Sequence, residues 1–270
     1  MKIAIIMVSY NACDLTVKCV KSVFSSEHEN LSLNVIVVDN SESIQNCNKL
    51  KIELKNLDID ANDSLELIHV NNNGYFSGIN SGLSRLELPN YEFVVAGNND
   101  LEYHSRFFVE LVSARYPIEA YVLAPNIINL DGCNENPRSI GGVSGFKKIA
   151  YSLYYRSYWL AVAMSLVHSV FSKNERKNPI QIRQYIHLSM GACYIFTRNF
   201  LRKTNKLDDR VFLFGEEVLL ANQISVLGGK LLYVPNIIVK HCEHSSVGKL
   251  GAREYYDIQR KSYQIFKKYL

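Results

Sequence analysis

Four strand-like runs in the first hundred residues each stop abruptly on polar residues, and helix-like runs separate them. The strands read as Lys2 to Ser9, Leu33 to Val38, Leu65 to Val70 and Tyr91 to Ala96. Behind the first, with Asn11 as its N-cap, Leu15, Cys19, Val20, Val23 and Phe24 recur at the three- and four-residue spacing of one buried helix face. A short helix is expected within residues 41–64, and another over Ser77 to Leu86. Strands that alternate with helices predict an α/β fold, with a mostly parallel central sheet flanked by crossover helices.

In a parallel sheet the carboxyl ends of the strands share one edge, and open α/β sheets bind ligands in the crevice outside it. The four ends here read Ser9-Tyr10-Asn11, Asp39-Asn40, Asn71 to Gly74, and Asn98-Asn99-Asp100. One such end is ordinary turn chemistry. Four in succession point to a binding edge. The second half is less regular. Strands are expected over Tyr121 to Ala124, Ala192 to Thr197, Lys230 to Val234 and Ile237 to Lys240. A helix from Glu216 to about Leu227 stops at Gly228-Gly229, and a last helix from Arg253 to Leu270 places Tyr256, Tyr263, Phe266 and Leu270 near one face.

With 270 residues, 47% of them hydrophobic, the chain is long enough for a single domain with a substantial insertion. That domain divides into residues 1–125, residues 126–245 with an insertion at 141–183, and a C-terminal helix over 246–270. Six cysteines without a CxxC pair, and an opening MKIAIIMVSY unlike a signal peptide, lead to the expectation of a cytoplasmic protein. The net charge of +4 is unevenly spread. Residues 146–183 carry Lys147, Lys148, Arg156, Lys173, Arg176, Lys177 and Arg183 against Glu175, which is 7 − 1 = +6. Inside that segment YWLAVAMSLVHSVF, Tyr158 to Phe171, is too short for the ~20 residues of a membrane span. It reads either as a core helix or, given the flanking charge and the cluster Tyr151, Tyr154, Tyr155, Tyr158 and Trp159, as an interfacial helix on an anionic membrane surface.

The first strand is followed by VSYNAC, with neither a GxGxxG turn nor a GxxxxGK[ST] loop, which disfavours NAD-binding and P-loop chemistry. An edge rich in Asn and Asp suits a nucleoside, its ribose hydroxyls pairing with amides and carboxylates, while a divalent metal manages the phosphates. Asp100 is the metal candidate, since Mg²⁺ and Mn²⁺ take oxygen ligands and a diphosphate can supply several of them. Its alternative is a helix cap. His241 is a further candidate ligand, against a structural role at a strand end. Glu216-Glu217 opens a helix, where the dipole keeps carboxylates ionised, and so suits a general base. The alternative there is ordinary first-turn charge. His241 to His244, HCEH, matches no common zinc spacing.

The order VSYN, VVDNS, NNNGYFSGINSGL, GNND, GACYIFTR, LDDRVFLFGEE, VPNIIVKH resembles the family 2 glycosyltransferases of GT-A fold, particularly their bacterial rhamnosyltransferase-like branch. The resemblance covers most of residues 1–245. It implies an inverting, metal-dependent (Mn²⁺ or Mg²⁺) transfer of a hexosyl or deoxyhexosyl group from a nucleoside-diphosphate sugar, UDP- or dTDP-linked, to an acceptor hydroxyl in surface polysaccharide synthesis. Ser9, Tyr10 and Asn11 then resemble the first nucleotide contacts, and Asp39, beside Asn40, the residue reading the base. Asn73, Gly74, Gly78 and Asn80 resemble the loop beside base and diphosphate. GNND stands where the family has DxD. Asn98 replaces its first aspartate, so only Asp100 carries over as metal ligand, while Asn98 and Asn99 are left to bond the ribose or position the loop. Glu217 falls at the family's base position with Glu216 beside it, Leu219 sits where many relatives have another acid, and His241 matches a late histidine near the metal.

The insertion would form the acceptor side, suited to a glycan or lipid-diphosphate-linked acceptor at the inner face of the cell membrane, with the protein peripheral there. No nucleic-acid partner is expected, and oligomeric state is left open. Two rivals remain. A sugar nucleotidyltransferase would need a glycine-rich, basic triphosphate loop that SYNACDLTVK lacks, and a catalytically inactive binding scaffold is suggested by Asn98.

Overall fold

The computed structural model describes residues 1–171, 180–242 and 251–270. The first half follows the alternation: β1 (Lys2–Ser9), α1 (Cys13–Phe24), β2 (Ser32–Asp39), α2 (Ile44–Lys55), β3 (Ser64–His69), α3 (Tyr75–Leu83) and β4 (Phe93–Asn98). The second half adds β5 (Leu101–Tyr103), α4 (Phe107–Ser113), β6 (Ala120–Asn129), α5 (Gly145–Tyr154), α6 (Tyr158–Phe171), β7 (Gln184–Ile186) and β8 (Cys193–Thr197). It closes with α7 (Arg198–Leu201), α8 (Glu216–Val226), β9 (Lys230–His241) and α9 (Ala252–Phe266).

One sheet runs in the order β3-β2-β1-β4-β8-β6-β9-β5, with β7 also on β9. Six of its nine described strands, β1 to β4, β6 and β9, point the same way, and β5, β7 and β8 oppose them. The register aligns Ser9 with Asp39, Asp39 with His69, and Val8 with Asn98, so the polar ends do share an edge. The same edge continues through Asn129 and His241, which pair at the ends of β6 and β9.

Both faces of the sheet are covered, which is why its strands are almost uninterrupted hydrophobic runs rather than alternating ones. Ile3, Ile5 and Met7 pack with Val17, Val20 and Val23 of α1 on one face, while Ala4, Ile6 and Val38 pack with Phe76 and Ile79 of α3 on the other. A third cluster joins α8 to α9 through Val218, Leu219, Tyr263 and Phe266. Leu219, at the position where the resemblance implies an acid, is completely buried there.

Three expectations change. Asn11 does not cap α1: Ala12 takes the cap position without a side-chain bond, and Asn11 adopts a left-handed turn (φ 50°) in which its N–H donates to Ser41 Oγ at 2.7 Å. Asparagine tolerates that conformation better than most residues. The two C-terminal strands are one, β9, carried past Pro235 by a register shift against β6. The core reading of Tyr158 to Phe171 fails. Trp159 is 75% exposed, and Leu166 and Val167 stand open as well, with only Ala161 buried among the helix's described side chains. Phe146 and Ile149 of α5 are also exposed. Lys173, Glu175, Arg176 and Lys177, and His244 of the HCEH stretch, lie outside the described residues.

Candidate active site

The amino side of the edge carries two groups of hydrogen-bonded polar side chains. Ser9 Oγ lies 2.8 Å from Thr16 Oγ1, which also accepts from Asn99 Nδ2 at 2.8 Å, tying the tips of β1 and β4 to α1. Asn11 Oδ1 accepts from Asn46 Nδ2 at 3.3 Å. Asp39 is buried, its Oδ1 accepting from the N–H and hydroxyl of Ser41 and its Oδ2 from Cys47 Sγ at 2.9 Å. Burial and the adjacent Asp39 carboxylate push the Cys47 thiol up to about 11, so it remains a donor. Asn40 is buried with its amide oxygen unpartnered among the described residues. Tyr10 is half-buried beside this network and Asn73 is exposed at the rim, while Asn98 is half-buried.

Two of the residues resembling nucleotide contacts also hold the fold together. Asn80 donates to Leu207 O and Asp209 Oδ2, both at 3.0 Å, and accepts from Leu207 N at 2.8 Å, so its amide pins the LDDR loop. Gly78 brings α3 onto β1, where a Cβ would come 3.0 Å from Val8 and 3.3 Å from Asn40 Nδ2. Gly74 serves the loop itself. With φ 109° and Phe212 O only 2.4 Å from where a Cβ would stand, it lets the NNNG loop and the VFLF strap cross backbone to backbone. Tyr75 N–H then donates to Phe212 O.

The opposite side holds two acids and a histidine. Asp100 Oδ1 and His241 Nε2 face each other across 3.5 Å, both buried and neither with a good hydrogen-bond partner among the described residues. His241 Nδ1 meets Glu135 Oε2 at 2.8 Å. Burial disfavours an imidazolium here, but Asp100 and Glu135 outweigh it and push the His241 pKa up to about 10. The pair of acids therefore calls for a positive charge between them, whether imidazolium or cation. A divalent ion held by Asp100 and His241, with Glu135 orienting the ring as carboxylates do for metal-bound histidines, fits this donor set. Glu135 was not found from the sequence. Its signal was the polar stretch DGCNENP after β6, a fifth carboxyl-end tip on the same edge.

The carboxylate pair opens α8. Gly215, left-handed (φ 88°) at the helix N-cap, has Phe266 of α9 in the space a Cβ would take, so α9 sets where the pair begins. Glu216 is buried with Oε1 unpartnered among the described residues, and burial together with the charge on Glu217 pushes its pKa up to about 8. Glu217 is half-buried. It lies within charge range of Tyr155 and Tyr194. Burial pushes the Tyr75 hydroxyl well up, and the charges of Glu216 and Asp100 both act on it in the same direction. The insertion reaches the same place, because Tyr155, at the end of α5, stacks on Tyr263 of α9 with ring centroids 4.5 Å apart.

Glu216 makes stability depend on pH. Between about 4.5 and 8 the unfolded chain has released the proton that the folded chain keeps, so its contribution is full below 4.5 and is lost as pH rises to 8. At roughly 1.4 kcal/mol per pH unit the loss amounts to several kcal/mol. Melting temperatures of wild type and Glu216→Gln should diverge in favour of the variant from pH 5 to 8 and run parallel above; curves parallel throughout would place the proton elsewhere.

No protein-family model and no curated protein matches the chain. Solved structures do. S. aureus TarS 1–349 in complex with UDP-GlcNAc superposes with a TM-score of 0.58 at 12% identity over 96% of this chain and 64% of that one. The mannosyltransferase PcManGT from Pyrobaculum calidifontis, with GDP-Man and Mn²⁺, gives 0.59 at 14% identity over 97% and 64%. GalNAc-T7 with UDP, GalNAc and Mn²⁺ gives 0.62 at 15% identity over 97% and 49%. The chain spans between half and two-thirds of those chains' lengths. The fold is thus the GT-A-type fold.

Proposed function

We propose that the chain is an inverting glycosyltransferase that moves a sugar from a UDP- or dTDP-linked donor to an acceptor hydroxyl in bacterial surface polysaccharide synthesis, as in the family 2, rhamnosyltransferase-like enzymes. The observation that supports this reading is that the charges of Glu216 and of Asp100 both reach the Tyr75 hydroxyl, with Glu217 next to the first and His241 Nε2 3.5 Å from the second. Inversion needs a base on one side of the anomeric carbon and charge stabilisation on the other.

Glu217 is the base. It is the member of the pair that is only half-buried, whereas Glu216 holds a proton near neutrality and can donate to an acceptor or donor hydroxyl. The network of Ser9, Tyr10, Asn11, Asp39, Asn40, Asn98 and Asn99 holds the nucleoside, with Asn73 and Gly74 shaping its loop. Asn80 and Gly78 support it from behind. Asp100 and His241 would hold Mn²⁺ or Mg²⁺, and the ion would supply positive charge to neutralise a diphosphate. The structures with GDP-Man, or with UDP and GalNAc, that also contain Mn²⁺ support this choice of ion.

The test is nucleoside-diphosphate release from a panel of UDP-, dTDP- and GDP-sugars with Mn²⁺. Turnover of one donor is expected, accelerated by an acceptor glycan. Nucleotide binding without turnover of any donor would favour the scaffold reading suggested by Asn98.

The acceptor side is the insertion, adjacent to Glu217 through Tyr155. Its exposed Phe146, Ile149, Trp159, Leu166 and Val167 with Lys147 and Lys148 suit an anionic bilayer and a lipid-diphosphate-linked acceptor. No helix among the described residues is long and apolar enough to cross a membrane. Co-sedimentation with anionic vesicles should fall when Lys147 and Lys148 are neutralised. Binding that ignores both charge and salt counts against docking by electrostatics.

A further inference from the structure

A second group of metal-ligating side chains stands at the other end of the edge, where the proposed reading puts the nucleobase. Cys47 Sγ, Asp39 Oδ2 and His69 Nδ1 form a closed triangle with sides of 2.9 Å (Sγ to Oδ2), 3.4 Å (Sγ to Nδ1) and 3.3 Å (Nδ1 to Oδ2). All three atoms could reach one ion. We propose that Asp39, Cys47 and His69 bind a thiophilic divalent cation of the zinc class, and that its occupation competes with the nucleotide for Asp39.

The geometry is close to what such an ion requires. With metal–sulfur bonds of about 2.3 Å and metal–nitrogen and metal–oxygen bonds of about 2.0 Å, a tetrahedral centre sets its ligand atoms roughly 3.3–3.6 Å apart. Two sides of the triangle are already in or near that range, and only the Sγ–Oδ2 side must open by about half an ångström. The donors come from three elements that the fold holds rigidly. Asp39 and His69 are register partners at the ends of β2 and β3, and Cys47 is in the first turn of α2, whose N-cap Ser43 accepts from Asn46 N–H. Ser41 occupies Oδ1 of Asp39, which aims Oδ2 at the other two donors.

Chemistry separates this group from the Asp100–His241 pair. One thiol, one imidazole and one carboxylate select zinc-like ions over Mg²⁺ and Mn²⁺, which favour all-oxygen sets. Access is open: the His69 side chain is 57% exposed, and a cleft of about 650 Å³ lined by Asp39, Cys47, Lys51 and His69 adjoins the triangle. Three protein donors leave a fourth position for water or an added ligand. Because Oδ2 of Asp39 cannot hold the ion and pair with a base together, the metal acts as an inhibitor of donor binding.

The competition rests on the proposed role of Asp39 in base reading; the metal site does not. The experiment therefore has two readouts on the whole chain. Titration with Co²⁺ alone should saturate at one equivalent with a near-ultraviolet thiolate-to-cobalt band, bleached by Zn²⁺ and absent in Cys47→Ser. No such band in wild type, or one that persists in Cys47→Ser, overturns the site. UDP affinity, measured calorimetrically with Mn²⁺ present, should then drop at least about tenfold with equimolar Zn²⁺, a shift of ~1.4 kcal/mol. Cys47→Ser and His69→Ala should abolish that drop, each variant being compared with its own zinc-free UDP affinity. A cobalt band with UDP affinity indifferent to Zn²⁺ overturns the competition. Failure to bind any nucleotide in metal-free and Mn²⁺-loaded protein alike would instead sink the functional reading and leave the cobalt result to stand.

Discussion

Glu217→Gln is expected to lose sugar transfer by about 10²–10⁴-fold, the usual contribution of a positioned general base, with donor affinity unchanged. The substitution keeps the shape of the side chain and removes only its ability to take a proton. Because Glu217 opens α8 on a turn whose Gly215 is pressed against Phe266, a neutral amide should leave the helix start where it is. The control is Glu216→Gln. Its carboxyl already holds a proton up to about pH 8, so the variant should retain most activity below neutrality and fold at least as stably. Rates against pH for both variants, beside donor affinity, decide between them. Near-normal turnover in Glu217→Gln, or a deeper loss in Glu216→Gln at pH 6, would exchange the two roles.

Asp100→Ala is expected to cost about 10³-fold in transfer, on the scale of removing a principal stabiliser of transition-state charge. It should also weaken Mn²⁺ binding in the presence of UDP. The same change leaves His241 facing only Glu135 and takes away one of the two carboxylates that hold its pKa high. Asn98→Ala, at the neighbouring strand tip, should stay within about tenfold, since a half-buried amide is not asked to neutralise charge. Manganese titration followed by paramagnetic relaxation, with and without UDP, gives the metal affinity directly. Equal losses in the two variants would remove the distinction between ligand and loop residue.

Glu135→Gln extends the same logic. If Glu135 orients the ring of His241, metal affinity should fall by about 10–100-fold, as for other outer-shell partners of metal-bound histidine. Unchanged affinity would make the 2.8 Å contact incidental to the metal.

The parallel half of the fold was legible because its information is local. Buried strands such as IAIIM and VIVV cannot be read otherwise once helix-period runs separate them, and their polar ends must then meet. Asp100, His241 and the Glu216-Glu217 pair stood out for the same reason, as charges at the ends of apolar runs. Asn11 misled because the residues that cap helices also accept left-handed turns, and only the donation of its N–H to Ser41, thirty residues on, decides which. Asn80 shows how much the tertiary structure adds, since an amide in that loop also holds Leu207 and Asp209 from 127 and 129 positions away.

By itself, the sequence determined the element order of the first half, the shared polar edge and the acids available to it, since period and polarity act between neighbours in the chain. Tertiary structure alone decided what those acids face. Glu135 meets His241 from 106 residues away, Phe266 stands against the start of α8, and Trp159, Leu166 and Val167 of the helix after Tyr158 are left exposed. A pKa, a metal cradle or an exposed face depends on the distance between groups remote in sequence and on the water excluded between them, and neither quantity exists until the chain has closed on itself.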